Sequence, residues 1–137
     1  MNKHTYLRAF MAGIVVPTLV LPIIVTVFAI ARYAYGFSIP LERVMIFPMA
    51  VVPLFWGLWN MLFIASHSNT HLSIGIHGAL LPFLLAPLGV LLTLALNFEI
   101  PNFASHIFPV LAPVALIDYY LAWKYIVSFF NAVLGIA

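Results

Sequence analysis

Three of the five histidines lie in one short stretch, at His67, His71 and His77. His67 and His71 are four residues apart, the spacing that places two imidazoles on one helical face and can begin a zinc site. The residues between them, 68–70, are Ser-Asn-Thr, which is typical of a turn and of a helix N-cap. We therefore expect hydrogen-bonded histidines in a tight interfacial turn, with a divalent metal at His67 and His71 as the alternative.

His77 has a different setting, because about 100° per residue turns it away from Gly75 and onto the face of leucines 80, 81, 84 and 88. On such a face a single imidazole could bind the iron of a haem or the magnesium of a pigment from the side. No acidic residue lies within twenty residues of the three histidines. We expect no cofactor, and haem, pigment and divalent metal remain the alternatives.

Asp118 is an acidic residue inside an apolar stretch. A carboxylate there is costly, so it must be paired, protonated or hydrated. We expect an Asp118–Arg8 clamp between the last and first helices, and a proton-coupling or cation site with a histidine is the alternative. The candidates for this polar layer are Asp118, Arg8, Asn60, His67, His71 and Lys124.

Composition sets the class of protein that must hold these groups. Hydrophobic residues make up 66% of the 137 residues and charged residues 6%, against about half and a quarter in soluble domains. Such a chain is expected to be an integral membrane protein surrounded by lipid. The lack of cysteine excludes disulfides and cysteine catalysis, the net charge of +2 gives no indication of nucleic-acid binding, and no catalytic motif is present. We therefore expect that this protein is not an enzyme.

Four apolar stretches are long enough to cross a bilayer as helices of about 20 residues. They are 8–31, 44–66, 73–96 and 104–124. The short connections predict an all-α, up-down four-helix transmembrane bundle in one domain, 1–137. The first stretch is expected to be a retained span, and the last helix to continue past Lys124, whose side chain snorkels to the interface.

The basic residues give a topology. One end holds Lys3, Arg8 and Lys124, and the other holds Arg32 and Arg43. This excess predicts that both termini are cytoplasmic, in a bacterial inner membrane.

The chain also aligns with itself. At an offset of 65, the pairs include Gly13 with Gly78, Pro17 with Pro82 and Pro22 with Pro87; at 61 they include Pro40 with Pro101 and Pro48 with Pro109. We interpret this as a tandem repeat of two-helix hairpins, 1–66 and 69–137, about an axis along the membrane normal. Chance similarity between apolar helices is the alternative.

Each helix carries two prolines, four or five residues apart. They are Pro17, Pro22, Pro48, Pro53, Pro82, Pro87, Pro109 and Pro113. Proline lacks an N–H and kinks a helix, and the carbonyls that it frees should face protein or water. Kinks at matching positions in two repeats are typical of a transporter substrate site, although they could instead only shape the bundle.

Small residues recur at helical spacing on the second and third helices. The helix-packing candidates are Gly57, Gly75, Ala79, Ala86 and Gly89. Stripes of small side chains let backbones approach closely in lipid, so we expect the second and third helices to pack through them.

These observations favour a small homo-oligomeric membrane protein whose kinked helices line a polar cavity for an ion or small solute. The first alternative is an accessory or scaffold subunit of a larger membrane complex that binds lipid, haem or pigment. The second is a histidine-based metal-binding membrane protein.

Overall fold

The computed structural model describes residues 4–98 and 103–136, without the side chains of 103–105. In these residues the chain forms four long helices. They are α1 (Thr5–Tyr35), α2 (Leu41–Thr70), α3 (Ile74–Ala95) and α4, which runs through Phe103–Leu121, Ala122–Val127 and Ser128–Val133. All four are long and apolar enough to span a membrane, which is compatible with a small integral membrane protein. As expected, α4 continues beyond Lys124.

The turn between α2 and α3 lies later in the chain than the sequence predicts. Residues 68–70 remain helical, and α2 ends where His71 adopts a left-handed conformation with φ of 49°. Ser73 then caps α3, since its side-chain oxygen accepts a hydrogen bond from the backbone N–H of Ile76 at 3.4 Å. The predicted cap at residues 68–70 is therefore wrong, because the serine two residues after His71 satisfies the first turn of α3 instead.

The helix α2 is interrupted near its start. Phe47 has φ of −136° and ψ of 119°, outside the helical region, and it directly precedes Pro48. A proline disfavours the helical conformation of the preceding residue, which accounts for this position. The other helices continue through their proline pairs, so bending at those prolines remains a prediction.

The helices pack mainly within two pairs, α1 against α2 and α3 against α4, and the last turns of α4 reach α1. Apolar side chains fill the centre, where all four helices meet. The core residues are Leu21, Val52, Trp56, Leu81, Leu85, Trp123 and Val127. The tandem repeat remains a prediction, although Gly13 and Gly78, which it aligns, each pack on the partner helix of their own pair.

Glycines mark the closest helix contacts. A Cβ on Gly57 would lie 2.5 Å from the ring of Phe10 on α1, and one on Gly13 would lie 2.6 Å from the carbonyl oxygen of Trp56 on α2. Gly57 therefore packs against α1, and the prediction that it faces α3 is wrong. The reason is that α1 also presents a glycine at this point, so these two backbones approach each other closely.

On α3, the small residues divide between two partners. Gly75 lies against the ring of Tyr120 on α4, whereas Gly89 lies against Phe47 on α2. Ala79 is half-buried and Ala86 is exposed. The stripe therefore serves two interfaces and one open surface, rather than a single contact with α2.

Candidate functional site

A pair of buried amides joins three helices. Asn60 on α2 and Asn131 on α4 are both fully buried, and their side chains exchange hydrogen bonds of 2.8 and 3.1 Å. Asn60 Nδ2 also donates to the carbonyl oxygen of Ala9 on α1, at 2.7 Å. The helical register correctly predicts that Asn60 lies inside the bundle. The amide of Asn60 has a structural role, because its hydrogen bonds to the amide of Asn131 and to the carbonyl oxygen of Ala9 link α2 to α4 and α1.

His77 lies in the protein interior, on the side of α3 that carries the buried Leu81, one of the leucines with which its spacing groups it. Its ring is 6% exposed and stacks on Trp59 of α2, with 4.9 Å between the ring centroids. His77 Nε2 donates to the carbonyl oxygen of Trp59 at 3.0 Å, and Trp59 Nε1 donates to the carbonyl oxygen of His77 at 2.8 Å. The flat indole of Trp59 offers a stacking surface and the carbonyl oxygen of Trp59 offers an acceptor, and together they hold the imidazole inside the bundle.

Two further rings, those of Phe63 and Trp123, surround His77. An axial ligand of haem or a pigment must present a free ring nitrogen to the metal. Because the ring of His77 is 6% exposed and lies among the rings of Trp59, Phe63 and Trp123, this geometry favours a structural role.

The other two histidines of the stretch do not meet it. His67 is exposed on the last turns of α2, with its ring 4.8 Å from that of Phe63. His71 follows the end of α2 in a left-handed conformation and is also exposed. Within residues 4–98 and 103–136, no three histidine or acidic side chains are placed to hold a metal ion.

Asp118 and Arg8 do not form the predicted clamp. Arg8 Nη1 donates instead to the carbonyl oxygen of Leu134, at 3.4 Å. Asp118 is exposed on the outside of α4, whereas the next residue, Tyr119, faces inward and accepts a hydrogen bond from Trp56 at 3.4 Å. The clamp prediction is wrong because α4 continues as a helix to Val133, so Arg8 meets the end of that helix rather than its middle.

Lys124 lies near two tyrosine rings instead of pairing with Asp118. Its ammonium lies 5.5 Å from the ring centre of Tyr120 and 5.3 Å from that of Tyr125. Among the described residues, an ion pair forms between Arg32 and Glu42, with 3.3 Å between Nη1 and Oε2. This pair lies at the opposite end of the bundle. Asp118 therefore has no basic partner within the described chain.

An unpaired carboxylate on the surface of a membrane span is costly, by about 2.5–3.5 kcal/mol at the centre of a helix on insertion scales. Asp118 lies near the middle of the apolar segment His106–Val133. It must therefore gain a proton, water or a basic group from beyond the described residues.

Two adjacent cavities open on the side of the bundle, between α3, α4 and the start of α2. They have volumes of about 390 and 430 Å³, and we call them together the α3–α4 groove. Both are lined by Ala86, Pro87 and Phe108; the first also by Arg43, Phe47 and Thr93, and the second by Pro82, Phe83 and Ala112. The groove is apolar except at one end, so it suits a hydrocarbon chain.

Arg43 marks the polar end of the groove. It lies on the first turn of α2, is half-buried, and its Nη2 donates to Thr93 Oγ1 near the end of α3, at 3.3 Å. A guanidinium carries five N–H donors in a planar fork that binds phosphate or carboxylate. The groove therefore combines an apolar lining with a guanidinium at one end.

Sequence analysis missed the roles of Asn131 and Arg43. Asn131 carried a usable signal, because an amide in an apolar helix needs a partner just as Asn60 does. In the sequence, Arg43 contributed only to the prediction of membrane orientation, since no sequence pattern places it beside Thr93, fifty residues away. Comparison with family models, with curated proteins and with solved structures finds no match for this chain.

Proposed function

We propose that this protein is a non-catalytic accessory subunit of a membrane complex and that it holds an anionic phospholipid in the α3–α4 groove. One acyl chain lies along the apolar cavities and the phosphate lies against Arg43. The observation that carries this proposal is an open apolar groove, within membrane-spanning helices, with a guanidinium at its edge.

The dimensions and the chemistry support a lipid. Each cavity falls within the range of about 300–1,000 Å³ that is typical of ligand sites. A single apolar wall would bind any lipid tail, whereas Arg43 adds a preference for an anionic headgroup, because charge-assisted hydrogen bonds to phosphate are strong. With both termini in the cytoplasm of a bacterium, Arg43 lies at the periplasmic face and the lipid belongs to the outer leaflet of the inner membrane.

Lipid retention by purified variants tests the proposal. Ala86→Phe places a ring in both cavities from an exposed position, and Ala95→Phe adds the same ring to α3 outside the groove. After exchange into detergent with added phosphatidylglycerol or phosphatidylcholine, native mass spectrometry counts the bound lipids. We expect Ala86→Phe to lose bound lipid and Ala95→Phe to retain it.

Replacement of the basic group separates the headgroup from the tail. Arg43→Gln should lower the affinity for phosphatidylglycerol about ten- to a hundredfold and leave phosphatidylcholine nearly unchanged, because a hydrogen bond to a charged group contributes about 1.5–3 kcal/mol. Equal lipid counts for wild type, Ala86→Phe and Ala95→Phe would contradict the proposal.

Exposed Asp118 favours a second candidate, a homo-oligomer that surrounds a path for an ion or small solute. Trp56, Trp123 and Leu81 fill the centre of the single chain, so such a path would lie between subunits. The measurement is uptake into vesicles that contain only this protein. Ion or solute uptake that disappears in Asp118→Asn would support the second candidate, and equal uptake in that variant would reject it.

A metal-binding role at His67 and His71 is the third candidate. It predicts stoichiometric metal in the purified protein that is lost in His67→Ala. The exposed positions of the two side chains give it less support than the groove gives to lipid binding.

A further inference from the structure

The outer side of α4 carries a continuous stripe of exposed side chains. It consists of Ile107, Leu111, Val114, Asp118, Leu121 and Tyr125. Their spacing alternates between four and three residues, which places the members from Ile107 to Leu121 along one face of the α-helical part of α4. Tyr125 follows them in the wider turn Ala122–Val127. The five apolar members are between 41% and 61% exposed, so the described residues leave about half of their surface uncovered.

We propose that this stripe is the docking surface for a transmembrane helix of a partner protein, and that the partner carries a lysine, arginine or histidine at the depth of Asp118. The inference deepens the proposed accessory role by naming the kind of partner, and it does not depend on a lipid in the groove.

The spacing favours a helix as the occupant. Side chains that alternate at spacings of three and four residues form the seam through which two helices pack at a small crossing angle. A surface that meets only lipid needs apolar side chains but gains nothing from a carboxylate. The position of Asp118 in the centre of the seam indicates a partner group there, since the described chain supplies no cation to it.

A second copy of this chain fits the stripe less well than a basic helix does. Two copies inserted with the same orientation and related by an axis along the membrane normal would place Asp118 opposite its own copy. Two carboxylates at one depth repel each other unless they share a proton. The nearest basic group on α4, Lys124, is six residues away, or about 9 Å along the helix axis. A basic residue at matching depth neutralises Asp118 directly.

Synthetic transmembrane peptides test the inference with the full-length protein. The purified, labelled protein is placed in phosphatidylcholine vesicles with a labelled polyleucine helix that has one central lysine, and energy transfer reports association. The comparison peptides have leucine at the centre or lysine displaced by seven residues. We expect the central-lysine peptide to bind about tenfold more tightly than the leucine peptide, the size expected from one intramembrane polar contact.

Variants assign the effect to Asp118. Asp118→Asn should abolish the preference for central lysine, whereas Glu42→Gln, which removes an acid paired with Arg32 at the other end, should keep it. Because Asp118 is on the surface, Asp118→Asn should fold, and circular dichroism and gel filtration check this. A second variant, Leu121→Ala, should weaken binding of all three peptides by removing seam contact.

Two results would overturn the inference. One is equal binding of the central-lysine and leucine peptides to the wild-type protein. The other is a homodimer, shown by cross-linking between copies of Val114→Cys that is lost in Asp118→Asn, since that would make a second copy the occupant. Ala86→Phe should not alter peptide binding, and Asp118→Asn should not alter lipid retention. Failure of this inference is therefore distinguishable from failure of the lipid proposal.

Discussion

The buried amide pair allows a quantitative test of what holds the helices together. We expect Asn60→Ala to destabilise the bundle more than Asn131→Ala, although both side chains are fully buried amides. The difference arises because Asn60 bonds to two helices, with Asn131 on α4 and with the carbonyl oxygen of Ala9 on α1. Asn131 contributes only to its reciprocal contact with Asn60.

The magnitude follows from the bonds that each change removes. Asn60→Ala removes three hydrogen bonds, at 2.7, 2.8 and 3.1 Å, and Asn131→Ala removes the last two. With a net contribution of about 0.6–1 kcal/mol per bond, the expected losses in free energy of unfolding are about 2–3 kcal/mol for Asn60→Ala and about 1–2 kcal/mol for Asn131→Ala.

The double variant measures the coupling between the two side chains. The two bonds that they share should give a coupling energy of about 1–2 kcal/mol, so that the double variant is less destabilised than the sum of the single ones. Titration of mixed micelles with a denaturing detergent, followed by tryptophan fluorescence, measures the free energy of unfolding. Asn69→Ala is the control, because this exposed amide should change stability by less than about 0.5 kcal/mol.

Additive losses would refute the reasoning. If the coupling energy is below about 0.3 kcal/mol, the amides do not act as a pair. An equal loss for Asn60→Ala and Asn131→Ala would show that the contact with the first helix contributes nothing.

The same unfolding assay checks two further contacts. Gly78→Ala should cost about 1–3 kcal/mol, because the new methyl group would overlap the buried indole of Trp123, whereas Gly89→Ala should cost less, since it meets only the edge of a half-buried ring. Equal losses for the two glycines would contradict this packing. Trp59→Phe should cost about 1 kcal/mol through loss of its 2.8 Å bond to the backbone carbonyl oxygen of His77. His77→Ala keeps that bond but should cost more, because it removes both the 3.0 Å bond from Nε2 to the Trp59 carbonyl oxygen and the stacking of the two rings. A Trp59→Phe variant as stable as wild type would show that this bond contributes nothing.

Local patterns were sufficient where one stretch of chain decides the outcome. The four apolar stretches predict four long helices, because the need to satisfy backbone groups in lipid makes each stretch helical by itself. The helix ends were less accurate, since Ser73 rather than residues 68–70 caps α3. The inward position of Asn60 followed from its spacing relative to Gly57 on one helix.

Contacts between distant residues could not be predicted in the same way. The sequence placed His77 on the face of leucines 80, 81, 84 and 88, but it had no means of showing that Trp59 offers the imidazole a stacking surface and a carbonyl acceptor at that depth. Asp118 was assigned to Arg8 because both belong to one end of the bundle. The rotation of α4 about its own axis, which turns Asp118 outward, depends on which side chains fill the core.

By itself, the sequence determined a membrane-compatible chain of four long helices, because hydropathy and backbone hydrogen bonding act within each segment. Only the tertiary structure decided that Gly57 packs against α1 and that Asn60 is hydrogen-bonded to Asn131. It also decided that Arg43 lies at the end of an apolar groove and that Asp118 is exposed. The physical reason is that in lipid most helix surfaces are equally apolar, so close packing at a few small residues and a few polar contacts selects the arrangement.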